Sequence, residues 1–463
     1  MSVVSLQIGQ CGNQVGGEFF KAITSDIQSF PALKSRLEAE YFETSSDTFF
    51  NALEQGETLE ARCVQVDMEE KVIQQMRSDA SREGTWRYPK NYYSAKQGSG
   101  NNWAFGFLVH GPACESAVAE CLRQELEKCD CVDGILMTMS LAGGTGSGVG
   151  TYLSRHLRDL CPKVPVLAQL VWPYKCGEIS VQAYNAILSL GHFLVRPDEV
   201  PDGILVQEND VLHQACSKRL GNAIEMPLSA LNVLMAHQLA GMLQPLSLPS
   251  PPCRRRLSQF LFNLSGPPDL KLYRLRCLPY LSAGVKKFST ETWPQLVRHG
   301  RQLVLTGAPV EDNMDWTLSP NTSVKGYKRF PVVAFSAVAR GDGAAELLSD
   351  TSRLSGFLSD APASSAFQTP FMGTCRPLCG YPRSLFLATN GGGLMPADLN
   401  AESSPTGTDP AASLRQVCAR AWRLFAAKAY LHQYAQYGLE MDTFMDCFAV
   451  VEQTVHTYAG LAV

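Results

Sequence analysis

A glycine-rich run at residues 141–150 has the composition of an anion-binding turn. It reads Leu-Ala-Gly-Gly-Thr-Gly-Ser-Gly-Val-Gly. The apolar residues 132–140 before it predict a buried parallel strand, and apolar residues recur at helical spacing over 149–160 after it. Glycine lets several backbone N–H groups converge without Cβ clashes, and the following helix adds the positive end of its dipole. Thr145 and Ser147 supply hydroxyl groups, so we expect this turn to hold a phosphate.

The spacing of these glycines excludes two common nucleotide-binding motifs. A P-loop places a lysine directly after its last glycine, and no lysine follows any glycine of this run. The G-x-G-x-x-G fingerprint of dinucleotide-binding sheets fits the run in no frame. The alternative interpretation is a flexible Gly/Ser linker, but linkers are not usually framed by a buried strand and a periodic helix.

Two further loops carry side chains suited to a nucleotide. The first predicted strand, residues 3–8, runs into Gly-Gln-Cys-Gly-Asn-Gln, where the amides of Gln10 and Gln14 can hydrogen-bond a phosphate or a ribose. A third loop, residues 97–104, reads Gln-Gly-Ser-Gly-Asn-Asn-Trp-Ala and is also rich in donors. Each loop alone is common in α/β proteins, so only their combination indicates one site.

Two carboxylates follow the predicted strand 62–66. Asp67 and Glu69 can hold Mg²⁺ directly or through water, because carboxylate oxygens are its usual protein ligands. The alternative is a helix start, with Asp67 as the N-cap and Glu69 in the first turn. Taken alone, the pattern favours the helix start.

The chain changes character near residue 243. Strands and helices alternate from residue 3 to about residue 242, which predicts a doubly wound parallel sheet with ligands at the carboxyl ends of its strands. Within this region, residues 31–60 have no clear period and are predicted to be irregular. Beyond residue 243, strands are predicted at 270–273, 303–305 and 331–338, and loops at 340–382 and 388–413. One C-terminal helix is predicted to run through Leu431 and end at Gly438, and a second carries Phe444 and Val455. We therefore predict an α/β protein with domains at 1–243, 244–410 and 411–463.

The composition excludes several classes of function. The chain has 463 residues, 45% of them hydrophobic and 18% charged, and its net charge of -4 gives no reason to expect nucleic acid or a membrane as partner. No apolar run is long enough to span a membrane, and the N-terminus does not resemble a secretory signal. The odd count of 15 cysteines indicates reduced thiols in the cytosol, and the lone C-x-C at 129–131 is a poor zinc site.

Together the three loops resemble the nucleotide loops of the tubulin family, in the same order and at the same spacing. Residues 142–148 match the tubulin/FtsZ signature, and residues 428–434 resemble the start of the tubulin C-terminal hairpin. The resemblance spans nearly the whole chain and implies a doubly wound parallel-sheet GTPase domain, an α+β intermediate domain and a C-terminal helical hairpin. Residues 97–100, 172–174 and 182–185, with Ala142, are most similar to the branch of the family found in centrioles and basal bodies.

The resemblance also assigns roles to individual residues, with GTP or GDP and Mg²⁺ as the implied ligands. The residues implied to bind the nucleotide are Gln10, Cys11, Gln14, Asn101, Ala142, Gly143, Gly144, Thr145, Gly146, Glu178, Gln182, Asn209, Leu228 and Asn232. Asp67 and Glu69 take the family's magnesium-side acidic positions. A carboxamide both donates and accepts hydrogen bonds, so Asn209 and Asn232 can match the guanine edge and reject adenine.

Four positions depart from the family pattern. Gln182 replaces an acidic ribose ligand, Leu228 replaces an aromatic residue that covers the guanine, and Ala142 replaces a glycine. In tubulins a loop of the next subunit brings a catalytic acid to the neighbour's GTP. Gln259 takes that position here, and a glutamine cannot accept the proton of the attacking water. We therefore assign no catalytic residue and expect GTP hydrolysis to be weak or dependent on a partner.

The sequence is interpreted as a GTP-binding structural tubulin of centrioles and basal bodies that takes part in centriole and microtubule organisation. Expected partners are centriolar proteins and other tubulins, through longitudinal and lateral contacts, with epsilon-tubulin as one candidate. Expected locations are the cytoplasm, the cytoskeleton, the centrosome and the basal body of the cilium. One alternative is a conventional polymerising subunit of microtubules, against which Gln259 and the lack of an acidic tail weigh. A remote alternative is an NAD(P)-dependent enzyme, which the glycine spacing opposes.

Overall fold

A computed structural model gives the fold of the chain. It describes residues 1–28, 36–51, 58–175, 177, 179–195, 201–220, 226–247, 256–267, 269–280, 291–319, 323–350, 354, 371–398 and 411–462. The chain divides into two compact units. The first consists of Met1–Asn209, Arg256–Ser258 and Leu414–Val455, and the second of Asp210–Arg255, Gln259–Ser413 and His456–Val463.

The first unit is built on a parallel sheet. Its strands are β1 (Ser2–Ile8), β2 (Phe50–Asn51), β3 (Leu59–Ala61), β4 (Cys63–Asp67), β5 (Trp86–Arg87), β6 (Tyr92–Ser94), β7 (Val132–Ser140), β8 (Val166–Trp172) and β9 (Gly203–Glu208). The main sheet has the order β9-β8-β7-β1-β4-β6 with parallel neighbours, and β2, β3 and β5 form a small separate sheet. β1 and β8 are buried along their whole length, as expected for strands of a sheet covered on both faces.

Helices alternate with these strands. They are α1 (Gly9–Gln28), α2 (Arg36–Phe49), α3 (Glu70–Glu83), α4 (Trp103–Phe105), α5 (Gly111–Glu127), α6 (Gly150–Leu160) and α7 (Gln182–Leu194). Two π-helical turns, Gly106–His110 and Thr145–Val149, lead into α5 and α6. The alternation confirms the predicted α/β class.

The prediction of irregular chain at 31–60 is wrong where the structure describes it. Helix α2 and strands β2 and β3 lie there. The buried face of α2 repeats at helical spacing, but among the side chains that the structure describes its buried positions include Thr44 and Ser45, between Tyr41 and Phe49. Small polar residues on the buried face hide the apolar period that a sequence search relies on.

The second unit combines helices with a mixed sheet. Its elements are α8 (Asn209–Arg219), α9 (Leu228–Leu243), α10 (Leu257–Leu264), β10 (Leu272–Leu278), α11 (Trp293–Thr306), β11 (Tyr327–Arg329), β12 (Val332–Gly341), α12 (Ala344–Ser349), β13 (Phe371–Thr374), β14 (Arg383–Gly391) and β15 (Leu394–Pro396). The order of its main strands is β13-β12-β14-β10. β14 is antiparallel to β10 and β12, whereas β13 is parallel to β12. This mixture agrees with the α+β character expected for the middle of the chain.

Three predictions in the second unit are wrong. The stretch 340–382, predicted as a loop, contains the end of β12, the helix α12 and the strand β13 in the residues that the structure describes. Residues 303–305 belong to α11 rather than to a strand, because Thr292 and Gln295 form a capping box and Gly307 ends the helix with a left-handed φ of 69°. Residues 388–391 are the end of β14 rather than a loop, and Asn390 there is fully buried. Residues 399–410, in the stretch interpreted as an insertion, lie outside the described residues.

The C-terminal region is helical, as predicted, but its first helix is shorter. The chain forms α13 (Ala412–Ala426), α14 (Leu431–Ala435) and α15 (Met441–Gly460). Leu431 does not continue the first helix, because Lys428 and Tyr430 adopt left-handed φ values of 50° and 58°. Trp422 of α13 stacks on Phe448 of α15 with ring centroids 4.0 Å apart, so the apolar stripes of these helices pack on each other.

Three other sequence expectations concern the chain as a whole. No disulfide bond joins the cysteines that the structure describes. Among the described residues, no helix is both long and apolar enough to cross a membrane. The domain boundaries at 243/244 and 410/411 stay predictions.

Candidate nucleotide-binding site

The predicted nucleotide loops lie in a row along one edge of the first unit's sheet. Parallel strands place their carboxyl ends at the same edge, and the order β9-β8-β7-β1-β4 fixes the order of the turns that follow them. From β9 to β4, these turns are the start of α8, the chain after β8, the glycine-rich run, the start of α1 and the segment after β4. Neighbouring strands lie about 4.8 Å apart, so the row extends over about 19 Å.

The start of α1 contacts the glycine-rich run. Gly9 has a left-handed φ of 73°, and a Cβ at Gly9 would lie 2.9 Å from the backbone nitrogen of Gly146. Only glycine allows so close an approach, so the two turns form one surface. Gln10 is exposed and Cys11 and Gln14 are half-buried in the first turns of α1, where the first N–H groups have no partner inside the helix.

The third loop, residues 97–104, also contacts the glycine-rich run. A Cβ at Gly144 would lie 2.6 Å from the backbone nitrogen of Asn102. The hydroxyls of Ser99 and Thr145 lie 3.0 Å apart and share a hydrogen bond. The loop and the run therefore bring backbone N–H groups and hydroxyls together although they are distant in sequence.

Asn101 presents its amide to the glycine-rich run. The residue is exposed, has a left-handed φ of 53°, and its Oδ1 lies 3.5 Å from the position of a Cβ at Gly143. The Ala142 N–H donates a 3.1 Å hydrogen bond to Ser140 Oγ, which holds the first peptide of the run. An exposed amide beside a residue without a side chain can hydrogen-bond a phosphate oxygen or a water bound to a metal.

Asp67 has the chemistry of a cation ligand. It ends β4 with 3% of its surface exposed, and burial raises the pKa of its carboxyl to about 6. Its Oδ1 accepts a 3.3 Å hydrogen bond from the Glu69 N–H, whereas its buried Oδ2 has no hydrogen-bond partner among the described residues. A divalent cation would compensate this buried oxygen, so the residue fits Mg²⁺.

Glu69 is placed where it can support Asp67. It is exposed and occupies the N-cap of α3, but its side chain makes no capping hydrogen bond. Its Oε1 lies 2.5 Å from the position of a Cβ at Gly98, so the carboxylate lies against the third loop. The alternative interpretation, with Asp67 as the N-cap, is therefore wrong in its assignment of the cap.

Two predicted residues follow β8 and β9. Gln182 begins α7 and donates a 2.8 Å hydrogen bond to the carbonyl of Tyr174, so its amide braces the turn after β8. Asn209 begins α8 directly after β9 and is half-buried. Glu178 lies outside the described residues.

Three predicted residues lie in the second unit. Leu228 begins α9 and is 48% exposed, whereas Asn232, one turn later, is buried. Gln259 is exposed on α10. Their assignments to the base and to the catalytic position stay predictions.

Asn185 is a further residue at the site, and no motif in the sequence predicted it. This residue lies on α7, is fully buried, and donates from Nδ2 to the carbonyls of Asn101 at 2.8 Å and Ala142 at 2.6 Å. It thereby joins the third loop to the glycine-rich run. The sequence did contain one signal for it, a single asparagine on a mostly apolar predicted helix. Such an amide is expected to be buried, and a buried amide needs hydrogen-bond partners.

Comparison with known proteins agrees with this arrangement. Residues 2–217 match the family model described as "Tubulin/FtsZ family, GTPase domain". The chain is 36% identical to the tubulin delta chain of Homo sapiens and 35% identical to that of Canis lupus familiaris, with 100% of each chain covered. It is 30% identical to the tubulin beta chain of Porphyra purpurea over 64% of this chain and 63% of the relative. The full-length similarity to the delta chains shows that the chain belongs to the tubulin family.

Proposed function

We propose that the chain binds GTP or GDP together with Mg²⁺ at the sheet edge of its first unit. Members of the tubulin family generally bind these ligands, and the matched GTPase-domain model covers every turn of that edge. The observation that carries the proposal is the order of the turns. Asn209 follows β9, Gln182 lies after β8, the glycine-rich run follows β7, and Asp67 ends β4.

This order matches the order of base, ribose, phosphates and magnesium in a bound nucleotide. Asn209 is proposed to recognise the guanine edge, because its amide offers both a donor and an acceptor. Gln182 is proposed to bind the ribose. The glycine-rich run, Gln10 and Asn101 are proposed to hold the phosphates through N–H groups, amides and two helix starts.

The residues of the proposed site account for nucleotide binding, but none of those proposed to hold the phosphates can activate water for hydrolysis. Asp67, with Glu69 beside it, would hold the magnesium, which supplies charge neutralisation for the phosphates when it is bound. Asn101, Gln10 and the hydroxyl of Thr145 orient phosphate oxygens but accept no proton from water. Gln259 supplies no base to a neighbouring subunit either, so we infer that hydrolysis is weak or depends on a partner.

The biological role is inferred from the delta-type relatives. We propose a structural tubulin of centrioles and basal bodies that assembles with other tubulins, epsilon-tubulin among them, and with centriolar proteins. The proposed locations are the cytoplasm, the cytoskeleton, the centrosome and the basal body of the cilium. The full-length similarity to tubulin delta chains supports this role over that of an ordinary microtubule subunit.

Identification of the bound nucleotide tests the binding proposal. Purified protein is denatured, the released nucleotide is identified by chromatography and mass spectrometry, and the native mass is measured in parallel. We expect about one guanine nucleotide per chain. An adenine or nicotinamide nucleotide, or no binding in the presence of Mg²⁺ and GTP, contradicts the proposal.

A side-chain deletion sharpens this test. Asn101→Gly removes the exposed amide and keeps the left-handed φ of 53°, so the backbone is preserved. We expect GTP affinity to fall about tenfold, as for the loss of one hydrogen bond to a charged group. Gln75→Ala, at an exposed position of α3, is the control and should bind GTP as the wild type does.

A further inference from the structure

The α14 segment, residues 429–438, contacts the elements that carry the nucleotide loops. The Tyr434 hydroxyl donates a 2.7 Å hydrogen bond to Asn185 Oδ1. The Asn102 amide of the third loop donates a 2.8 Å hydrogen bond to the Gln433 carbonyl. Phe105 of α4 stacks on Tyr437 with ring centroids 4.7 Å apart and an interplanar angle of 12°. Residues near the C-terminus thus reach the same loops from which the site is built.

Asn185, which accepts the Tyr434 hydrogen bond, also contacts both nucleotide loops. Its Nδ2 donates to the carbonyls of Asn101 and Ala142, and its Oδ1 accepts from the Trp103 N–H at 3.0 Å as well as from Tyr434. A carboxamide has two N–H donors and two acceptor sites, so all of its hydrogen-bonding capacity is used. One buried side chain therefore joins the third loop, the glycine-rich run, α4 and α14.

Tyr434 has little freedom to leave this position. It is fully buried, and its ring lies 5.5 Å from each of Tyr184 and Phe444 in edge-to-face contacts. The Tyr184 hydroxyl in turn donates a 3.1 Å hydrogen bond to the Ala429 carbonyl. The hydroxyl of Tyr434 is thus held against Asn185 by packing, and losing the hydrogen bond would leave a buried acceptor with one partner fewer.

We propose that Asn185 is a positioning residue of the nucleotide site and that Tyr434 couples the α14 segment to that site. Asn185 orients the Asn101 and Ala142 peptides, and these in turn orient the exposed Asn101 amide and the start of the glycine-rich run. A change in α14 therefore alters nucleotide affinity. By thermodynamic reciprocity, nucleotide binding stabilises α14 by the same factor. This inference rests on the proposed function.

Two variants and one control test the coupling. Tyr434→Phe keeps the packed ring and removes only the hydroxyl, whereas Asn185→Ala removes all four hydrogen bonds. Tyr458→Phe is the control, because Tyr458 is also fully buried and its hydroxyl accepts a 3.1 Å hydrogen bond from the Leu272 N–H, both in the second unit. Release of a fluorescent N-methylanthraniloyl-GTP is measured by stopped flow, and amide hydrogen exchange in residues 431–438 is measured with and without GTP.

We expect nucleotide release to be about 3- to 10-fold faster in Tyr434→Phe and faster still in Asn185→Ala, with Tyr458→Phe within about twofold of the wild type. GTP should slow exchange in residues 431–438 of the wild type, and this protection should shrink in Tyr434→Phe at saturating GTP. Substitution of a residue that only supports the fold would lower the melting temperature but would change neither the rate of nucleotide release nor the protection by GTP.

Different results separate this inference from the proposed function. If the wild type binds GTP but both variants release it at the wild-type rate, the coupling is refuted and the nucleotide site stands. If GTP leaves exchange in residues 431–438 of the wild type unchanged, the coupling is refuted as well. If the wild type binds no GTP, the proposed function fails and this inference fails with it.

Discussion

Adjacent glycines of the glycine-rich run have different structural roles. A Cβ at Gly144 would lie 2.6 Å from Asn102 N and 2.8 Å from its carbonyl oxygen, and backbone atoms cannot move aside as a flexible side chain can. A Cβ at Gly143 meets only the Asn101 Oδ1, at 3.5 Å, which is an ordinary contact. The first glycine of the pair is thus free to face a ligand, and the second is required for the fold.

Alanine substitution should separate these roles. We expect Gly144→Ala to lower the free energy of unfolding by about 1–3 kcal/mol through overpacking, and Gly143→Ala to change it by less than about 0.5 kcal/mol. Urea unfolding without added nucleotide measures both values. Equal destabilisation by the two substitutions would contradict the close contact between the third loop and the run.

We predict that His192 makes the stability of the first unit dependent on pH. It lies on α7 beside the stacked rings of Trp103 and Phe107, with ring centroids 5.1 and 5.0 Å from its own, and its Nδ1 is 2.8 Å from the Leu188 carbonyl oxygen. Burial lowers the pKa of His192 below its ordinary value of 6.5, and Arg155 lowers the pKa further. The unfolded chain therefore binds a proton at a pH where the folded chain does not.

Acid should remove this contribution to stability. The contribution is complete above the unfolded pKa of 6.5 and is lost as the pH falls below that value toward the lower folded pKa. We expect His192→Gln to flatten the dependence of unfolding free energy on pH below 6.5 by up to one proton, or about 1.4 kcal/mol per pH unit. Urea unfolding between pH 5 and 8 measures the slope, and His456→Gln, at an exposed position, should leave it unchanged.

Whole elements show which parts of the fold the sequence could predict. β7 is found at the predicted residues because a strand buried on both faces is a continuous apolar run. The three apolar residues at 303–305 fit a strand or a helix equally well, and the deciding signals, the cap at Thr292 and the stop at Gly307, lie outside that short window. In the site, the loops were identifiable from their glycines, but the bonds of Asn185 join residues far apart in sequence and have no local signature.

Arg340 binds the C-terminal end of α9, a helix of the second unit. It is fully buried on β12 and donates to the carbonyls of Gly241 at 2.8 Å, Gln244 at 2.7 Å and Pro245 at 3.4 Å. Gly241 lies in the last turn of α9, Gln244 is its C-cap and Pro245 follows it. The last carbonyls of a helix lack N–H partners within it, and the helix dipole favours a positive charge there. The guanidinium thus satisfies the C-terminal end of α9.

Removal of this guanidinium should be costly. We expect Arg340→Met to lower the free energy of unfolding by about 3 kcal/mol or more, because three buried carbonyls lose donors. Arg383→Met is the control. Arg383 likewise donates to backbone carbonyls, those of Asp342 and Glu291 at 3.0 Å each, but it is only half-buried. Its loss should cost less than about 1 kcal/mol, because water can replace its hydrogen bonds. Equal costs in urea unfolding would show that Arg340 does not act through burial.

Hydrolysis is a property of the assembled protein if the proposed function is correct. The resemblance implies that the residue activating water acts on the nucleotide of a neighbouring subunit, and we predict that Gln259 takes that position here. Gln259 is exposed on α10, so a neighbouring subunit can contact it. Its amide can orient a water molecule but cannot accept its proton, whereas a carboxylate can do both.

Gln259→Glu should therefore raise GTP turnover only when a neighbour is present. We expect an increase of about 100-fold in mixed assemblies with conventional tubulin, which is the lower end of the range for general-base catalysis, and no change in the isolated chain. Phosphate release is measured in both conditions, and Gln75→Glu on α3 controls for the added charge. Unchanged turnover in a mixed assembly would show that Gln259 does not face the neighbour's nucleotide. Faster turnover in the isolated chain would instead place the new carboxylate at a nucleotide of its own subunit, and the shared arrangement proposed for this family member would be wrong.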